Sequence, residues 1–190
     1  FDTLLWTGNS SSDSGTQNIT GLNFQPDFMW NKTRGVAENY ILTDVLRGTN
    51  SFLRSNTTAL AYNPANCYQI PLTNGFTAQG DEGGEFNYTN FTYATWNWKA
   101  NGAGATNEAG SINTIKTSAS TTSGFSIVTY TGNGTSGATI GHGLGVAPKV
   151  VIVKLTSGGG YDWGVYHASL GNTKNMRMNL TDAVATSTAF

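Results

Sequence analysis

Apolar residues in this chain come in short runs, and several of the runs alternate with polar ones. The cleanest is Met176–Leu180, with Met176, Met178 and Leu180 on one face and Arg177 and Asn179 on the other. Strand patterns also fall at Thr3–Trp6, Asp27–Trp30, Tyr40–Leu46, Tyr68–Leu72, Phe86–Trp98, Phe125–Tyr130, Lys149–Leu155 and Trp163–His167. Between them lie clusters of Gly, Asn, Ser and Asp, such as Gly8–Gly15, Gly80–Gly84 and Gly132–Gly137. Such clusters supply positive-φ positions and side-chain-capped turns. Val36–Arg47 carries good helix formers and a Gly48 stop. Its later counterpart, Tyr161–Leu170, alternates Trp163, Val165 and His167 and is interrupted by Gly164, so both are read as strands. Many short strands at this spacing predict an antiparallel all-β sandwich or barrel.

The strand pattern also repeats. Residues 1–9 read FDTLLWTGN and residues 125–133 read FSIVTYTGN. GLNFQPDFMWNK from Gly21 matches GLGVAPKVVIVK from Gly143 in its Gly-Leu, Pro and Lys. Further on, Gly48 pairs with Gly171, Arg54 with Arg177 and Asn56 with Asn179. The offset stays at about 123 residues and drifts by a residue or so, as small loop insertions produce. The expected organisation is one β-unit over residues 1–105 and the start of a second, diverged and incomplete copy over 106–190, with Ala100–Ser111 as a Gly/Ala/Asn-rich linker. Because Phe1 already sits in a strand pattern, the chain reads as an excerpt of a longer protein.

Composition narrows the function classes. Charged residues are 11 % of the chain, against about 25 % in ordinary soluble proteins. The net charge is −1 and no Lys/Arg cluster occurs, which argues against nucleic-acid binding. The apolar runs are far too short for a helical membrane span. The one cysteine, Cys67, can form no intrachain disulfide and reads as a packed small side chain. Eight Asn-x-Ser/Thr sequons begin at Asn9, Asn18, Asn31, Asn56, Asn87, Asn90, Asn133 and Asn179, most of them a product of the Asn/Ser/Thr-rich composition.

No catalytic constellation is visible. The two histidines, His142 and His167, align with Thr20 and Asp44 of the first unit and read as turn and strand-end residues. Asp81, Glu82 and Glu85 stand together in GDEGGEF; they form a candidate Ca²⁺ loop, although the spacing matches no EF-hand and a solvated acidic turn explains it as well. The same carboxylates are poorly placed to face one another as glycosidase acids. No cofactor beyond that ion is expected. The aromatic run Phe86–Trp98 suits a core strand or a platform for stacking sugar rings. The repeated positions are turns and strand edges, so specific recognition is expected in the loops that differ: Gly80–Phe86 and Ser157–Asp162. Trp163, Tyr166 and His167, which follow the second of these loops, are the candidate ligand contacts.

Certain blocks carry a family resemblance: F-x-x-x-x-[WY]-T-G-N, Y-A-T-W-N-W-K-A over residues 93–100, G-F-S-I-V-T-Y-T-G from Gly124, G-H-G-L-G-x-A-P-K-V-V-I-V-K from Gly141, and Y-H-x-S-L-G-N-T-K from Tyr166. The chain resembles a repeated domain in structural proteins of marine tailed phages, described as tail-fibre or virion-appendage proteins. The resemblance implies a lectin-like jelly-roll β-sandwich and a virion structural role in an extracellular particle. It supplies no catalytic residue and no ligand. The absence of a catalytic constellation and the Gly/Thr/Asn-rich, charge-poor surface lead to the expectation of a non-enzymatic protein that acts by assembly with other virion proteins, as a homo-oligomer, and by weak multivalent recognition of host-surface glycans. A carbohydrate-binding module of a secreted or cell-surface protein is the alternative reading.

Overall fold

The computed structural model describes residues 1–12, 14–80 and 82–187. Among them the chain forms β-strands, one 3₁₀ turn (Glu82–Gly84) and no α-helix. The strands are β1 (Asp2–Thr7), β2 (Thr16–Thr20), β3 (Phe28–Thr33), β4 (Tyr40–Asp44), β5 (Phe52–Arg54), β6 (Tyr68–Leu72), β7 (Gly75–Gln79), β8 (Thr92–Trp98), β9 (Lys116–Ser120), β10 (Phe125–Thr129), β11 (Val150–Val153), β12 (Gly164–His167), β13 (Lys174–Arg177) and β14 (Ala185–Thr186). Every pairing between them is antiparallel.

A five-stranded sheet, ordered β1-β8-β3-β4-β5, is the centre of the structure. Its period-2 alternation is visible in β3, where Met29, Asn31 and Thr33 are buried and Phe28, Trp30 and Lys32 on the opposite face are half-buried. The three-stranded sheet β2-β7-β6 lies over the first of these faces. There Ile19, Phe76 and Ala78 meet Met29, Leu4 and Trp6. A neighbouring cluster joins Ile41, Phe52, Cys67 and Phe86. Cys67 thus packs as a small side chain. Gly75 is needed where β7 crosses β2, because a Cβ there would collide with the Ile19 carbonyl oxygen.

The opposite face of the five-stranded sheet meets the second half of the chain. Trp163, only 4 % exposed, packs with Leu42, Leu53, Phe28, Trp30 and Met178. Phe125 of β10 stacks on Trp98 with ring centroids 5.7 Å apart and lies 5.6 Å from Phe28. The sheet β11-β12-β13-β14 and the hairpin β9-β10 complete this half. The stretch expected as a linker is tied down. Ala100 donates its N–H to the Asp27 carboxylate at 2.7 Å, and Ala105 pairs with Thr117 beside β9.

The two halves share backbone geometry. β3, β4 and β5 form a meander, and so do β11, β12 and β13. Phe28 lies opposite Asp44 as Val150 lies opposite His167, and Ile41 lies opposite Arg54 as Gly164 lies opposite Arg177. Beyond the strand ends, Val45 N–H reaches Asp27 C=O and Ala168 N–H reaches Lys149 C=O; Ser55 reaches Tyr40 and Met178 reaches Trp163 in the same way. These are the positions that the sequence offset matches.

Some expected strands differ. The long run Phe86–Trp98 splits, and strand begins only at Thr92. Before it the chain turns through Asn90, at φ 65°, while the Tyr93 hydroxyl accepts from Tyr88 N–H and donates to Gly84 C=O. Tyr40–Leu46 ends as strand at Asp44, whose carboxylate accepts from the N–H groups of Leu46 and Arg47 and folds the chain into a turn. Met176–Leu180 is shifted: the strand is Lys174–Arg177, and Leu180 N–H closes a turn onto Arg177.

Trp163→Ala should cost about 3–5 kcal/mol, the range for emptying a buried large aromatic site. Urea denaturation followed by amide exchange checks this, with β12 and β13 expected to lose protection before β3 and β8.

Candidate functional site

Two features of the central sheet bear on function, one on each face. On the covered face the lining is unusually polar. Asn31, Asn87, Asn97, Thr95 and Gln69 are all fully buried. Burying such groups is costly unless they are paired. Asn31 donates to the Glu85 carbonyl at 2.8 Å and accepts from the Thr95 hydroxyl, which in turn accepts from the Trp6 indole. Arg54 grips the Glu85 carboxylate through Nε (2.9 Å) and Nη2 (2.8 Å). Asn39 donates to the same carboxylate and accepts from Asn56. Asn9 and Asn87 exchange a further pair of hydrogen bonds. Together these bonds fasten the loop before β8 onto β3 and β5.

This places one member of the acidic triplet. Glu85 is 2 % exposed and its oxygens are held by Arg54 and Asn39. A guanidinium at that distance repels a cation, so Glu85 does not fit a Ca²⁺ ligand. Asp81 lies outside the described residues, and Glu82 belongs to the 3₁₀ turn. No group of three or more His, Cys, Asp or Glu is poised for a metal among the described residues.

At the edge of the same face is a cavity of about 250 Å³, lined by Gln25, Met29, Asp44, Thr49, Gln69 and Pro71 among others. The Gln69 Oε1 accepts from the Thr43 hydroxyl at 2.8 Å, and its Nε2 has no protein acceptor.

The other face carries the aromatics. Trp30 and Trp96 meet edge to face at 6.4 Å, and Trp98 is surrounded by Phe1, Phe28 and Phe125 at 4.7–5.7 Å. Trp30, Trp96 and Trp98 are each partly exposed. This is the part of the aromatic run that the sequence offered as a stacking platform.

The residues expected to contact a ligand are dispersed. The Trp163 indole N–H donates to the carbonyls of Arg54 (3.1 Å) and Thr57 (3.2 Å), so its ring is an internal wedge. Tyr166 and His167 are adjacent on β12 and therefore point to opposite faces, both half-buried. His167 Nδ1 accepts from Ser169 N–H at 3.2 Å, and His142 Nδ1 accepts from Leu144 N–H at 3.1 Å. Both histidines thus close turns, His167 doing at the end of β12 what Asp44 does at the end of β4. A signal the sequence reading passed over is Lys32 and Lys154. Each lies over an aromatic ring, Tyr40 at 5.2 Å and Trp163 at 6.0 Å, and donates to nearby carbonyls. Partial burial pushes both below the usual lysine value, partly countered by Glu38 and Asp162 respectively. Of the sequons, Asn31 and Asn87 are fully buried and hydrogen-bonded, which closes them to glycosylation in the folded chain.

A family model described as a domain of unknown function, DUF7483, matches residues 1–190. The chain belongs to the DUF7483 family. No curated protein and no solved structure matches it. In this DUF7483 member a polar seam and an aromatic face lie on either side of one sheet.

Arg54→Met leaves Glu85 buried without its cation and should cost about 3–5 kcal/mol. Arg54→Met combined with Glu85→Gln should recover part of that loss, so a double-mutant cycle by denaturant unfolding should show positive coupling. Additive losses would mean that the pair is not coupled.

Proposed function

We propose that this chain is a non-enzymatic structural module of a phage virion, part of a fibre, an appendage or a capsid or tail decoration. It acts by assembly and by weak, multivalent recognition of host-surface glycans. The observation that carries the reading is the shared register of β3–β4–β5 and β11–β12–β13, down to the hydrogen bonds beyond the strand ends. It supports tandem units, one over residues 1–105 and a diverged copy beginning near residue 106. Repeated modules raise avidity without a strong single site. The sequence resemblance supplies the phage context. The surface suits it: few charges leave amide, hydroxyl and aromatic contacts that salt does not screen.

A lectin-like jelly roll is the proposed architecture of the first unit. In support, β1 pairs with β8 and β2 with β7, the nested pairing that results when a long hairpin rolls up. β4 and β5 extend the first sheet and β6 flanks β7, which is a departure from two equal four-stranded sheets. The partners are other virion proteins and further copies of the chain.

The half-exposed tryptophans favour a second reading, a carbohydrate-binding module of a secreted or cell-surface protein. The partly exposed rings of Trp96 and Trp30, which meet edge to face, suit the C–H faces of sugars.

Gold-labelled antibody against residues 1–190 should decorate intact particles in negative stain, and particles without label would overturn the virion reading. On a glycan array, Trp96→Ala should weaken any binding about two- to tenfold, equivalent to about 0.5–1.5 kcal/mol for one aromatic contact. Unchanged binding would take recognition away from this face.

A further inference from the structure

In the five-stranded sheet β3 has two neighbours, β4 on one side and β8 on the other. Its counterpart β11 has only one. It pairs with β12 and stands at the end of its sheet. β10, the counterpart of β1, likewise has β9 on one side and ends its sheet on the other. So the two strands that correspond to the neighbours of β8 both present an open edge among the described residues.

The direction of the backbone groups on β11 follows from the register. Ala168 N–H donates to Lys149 C=O, which makes Lys149 and Ala168 a hydrogen-bonded pair. Alternation along an antiparallel ladder then turns Val151 and Val153 toward β12, and Val150 and Ile152 away from it. On β3 the same parity is occupied. Phe28, Trp30 and Lys32 face β8, opposite Trp98, Trp96 and Ala94, and Arg34 beyond them donates to Thr92. Val150 and Ile152 are 48 % and 45 % exposed, whereas Phe28 and Trp30 are half-covered by their neighbours. β11 is a run of four consecutive aliphatic residues, VVIV. Such a run reads as a strand built to be buried on both faces and flanked on both edges.

We infer that the open edge of β11 is a docking edge for an extended antiparallel segment of β8 chemistry, with aromatic side chains at alternate positions and Thr or Asn between them. The inference rests on the tandem-unit part of the proposed function and is independent of the virion location. The fold itself shows the occupant: β8, with the pattern TYATWNW, fills this position on β3. The expected register sets an aromatic residue opposite Val150 and another opposite Ile152, with an Asn-like residue opposite Val151 and a Thr-like one opposite Val153. The aromatic rings then cover the two exposed aliphatic side chains, and the backbone supplies the acceptors and donors that Val150 and Ile152 lack.

The experiment is a titration of the ¹⁵N-labelled chain with a synthetic peptide of the sequence NFTYATWNWK, residues 90–99, and with a scrambled peptide of the same composition. Expected are shifts confined to β11 and its flanks, with exchange of the Val150 and Ile152 amides slowed about tenfold or more. Ile152→Pro removes one of the docking donors without touching the pairs to β12, so it should abolish binding while the Val165 and Met176 signals stay in place. Three results would overturn the inference: no change at β11 at millimolar peptide, an equal response to the scrambled peptide, or shifts at β3 in place of β11. A concentration-dependent dimer in light scattering, with the β11 amides protected and the peptide excluded, would also overturn it, by making a second copy the occupant. If Ile152→Pro unfolds the second sheet, Ile152→Lys at the same edge is the substitute. Failure of the peptide arm with intact register of β3–β5 and β11–β13 would leave the tandem-unit reading standing.

Discussion

Strand β8 is the constraint on which the five-stranded sheet depends. It is the last of the five in the chain and yet lies inside the sheet, in register with six residues of β1 on one side and six of β3 on the other. Until it is in place β1 has no partner in the sheet, and the aromatic face has neither Trp96 nor Trp98. Pairs such as Asp2 with Asn97 join residues far apart in the chain. Contacts of that kind close long loops, so this fold belongs among the slower β-topologies.

The polar seam serves that insertion. An aliphatic interior tolerates a strand that slips by two residues, because one methyl group replaces another. The chain Trp6–Thr95–Asn31–Glu85 does not, since a slip leaves buried donors and acceptors unpaired. Arg54 adds a bidentate grip on the loop that delivers β8. The sheet thus exchanges some of the stability an apolar filling would give for a single allowed register. On its reverse face the same strands present rings that the second half only partly covers.

The all-β class and the strands near 2–7, 68–72 and 125–129 were legible in the sequence, because alternation and turn residues carry them directly. β2, β5, β7 and β9 were not. Their sequences, TQNIT, FLR, GFTAQ and KTSAS, are short and mostly polar, and they are strands because a neighbour pairs with them rather than because of their own pattern. Glu85 read as a loop carboxylate, since nothing local announces that Arg54 reaches it across the sheet. Trp163 read as a ligand contact for a similar reason. A tryptophan after a Gly-rich loop looks the same in sequence whether its ring meets a sugar or Leu42 and Leu53. The His167 turn was hinted at by its alignment with Asp44, and the structure supplies the reason: both side chains offer one acceptor to the N–H two residues on.

Lys154 and Trp163 reach across from the second half and end on the carbonyls of the turn after β5, Lys154 on Thr58 and Trp163 on Arg54 and Thr57. In mechanical terms this is a coupling between two rigid plates. A pull on the C-terminal half is carried into the turn next to Arg54, and so to the residue that holds the loop before β8, and not by the connecting chain alone. Load on one half is then shared, plate to plate, through side chains seated on backbone, and the orientation of one half is fixed by the other.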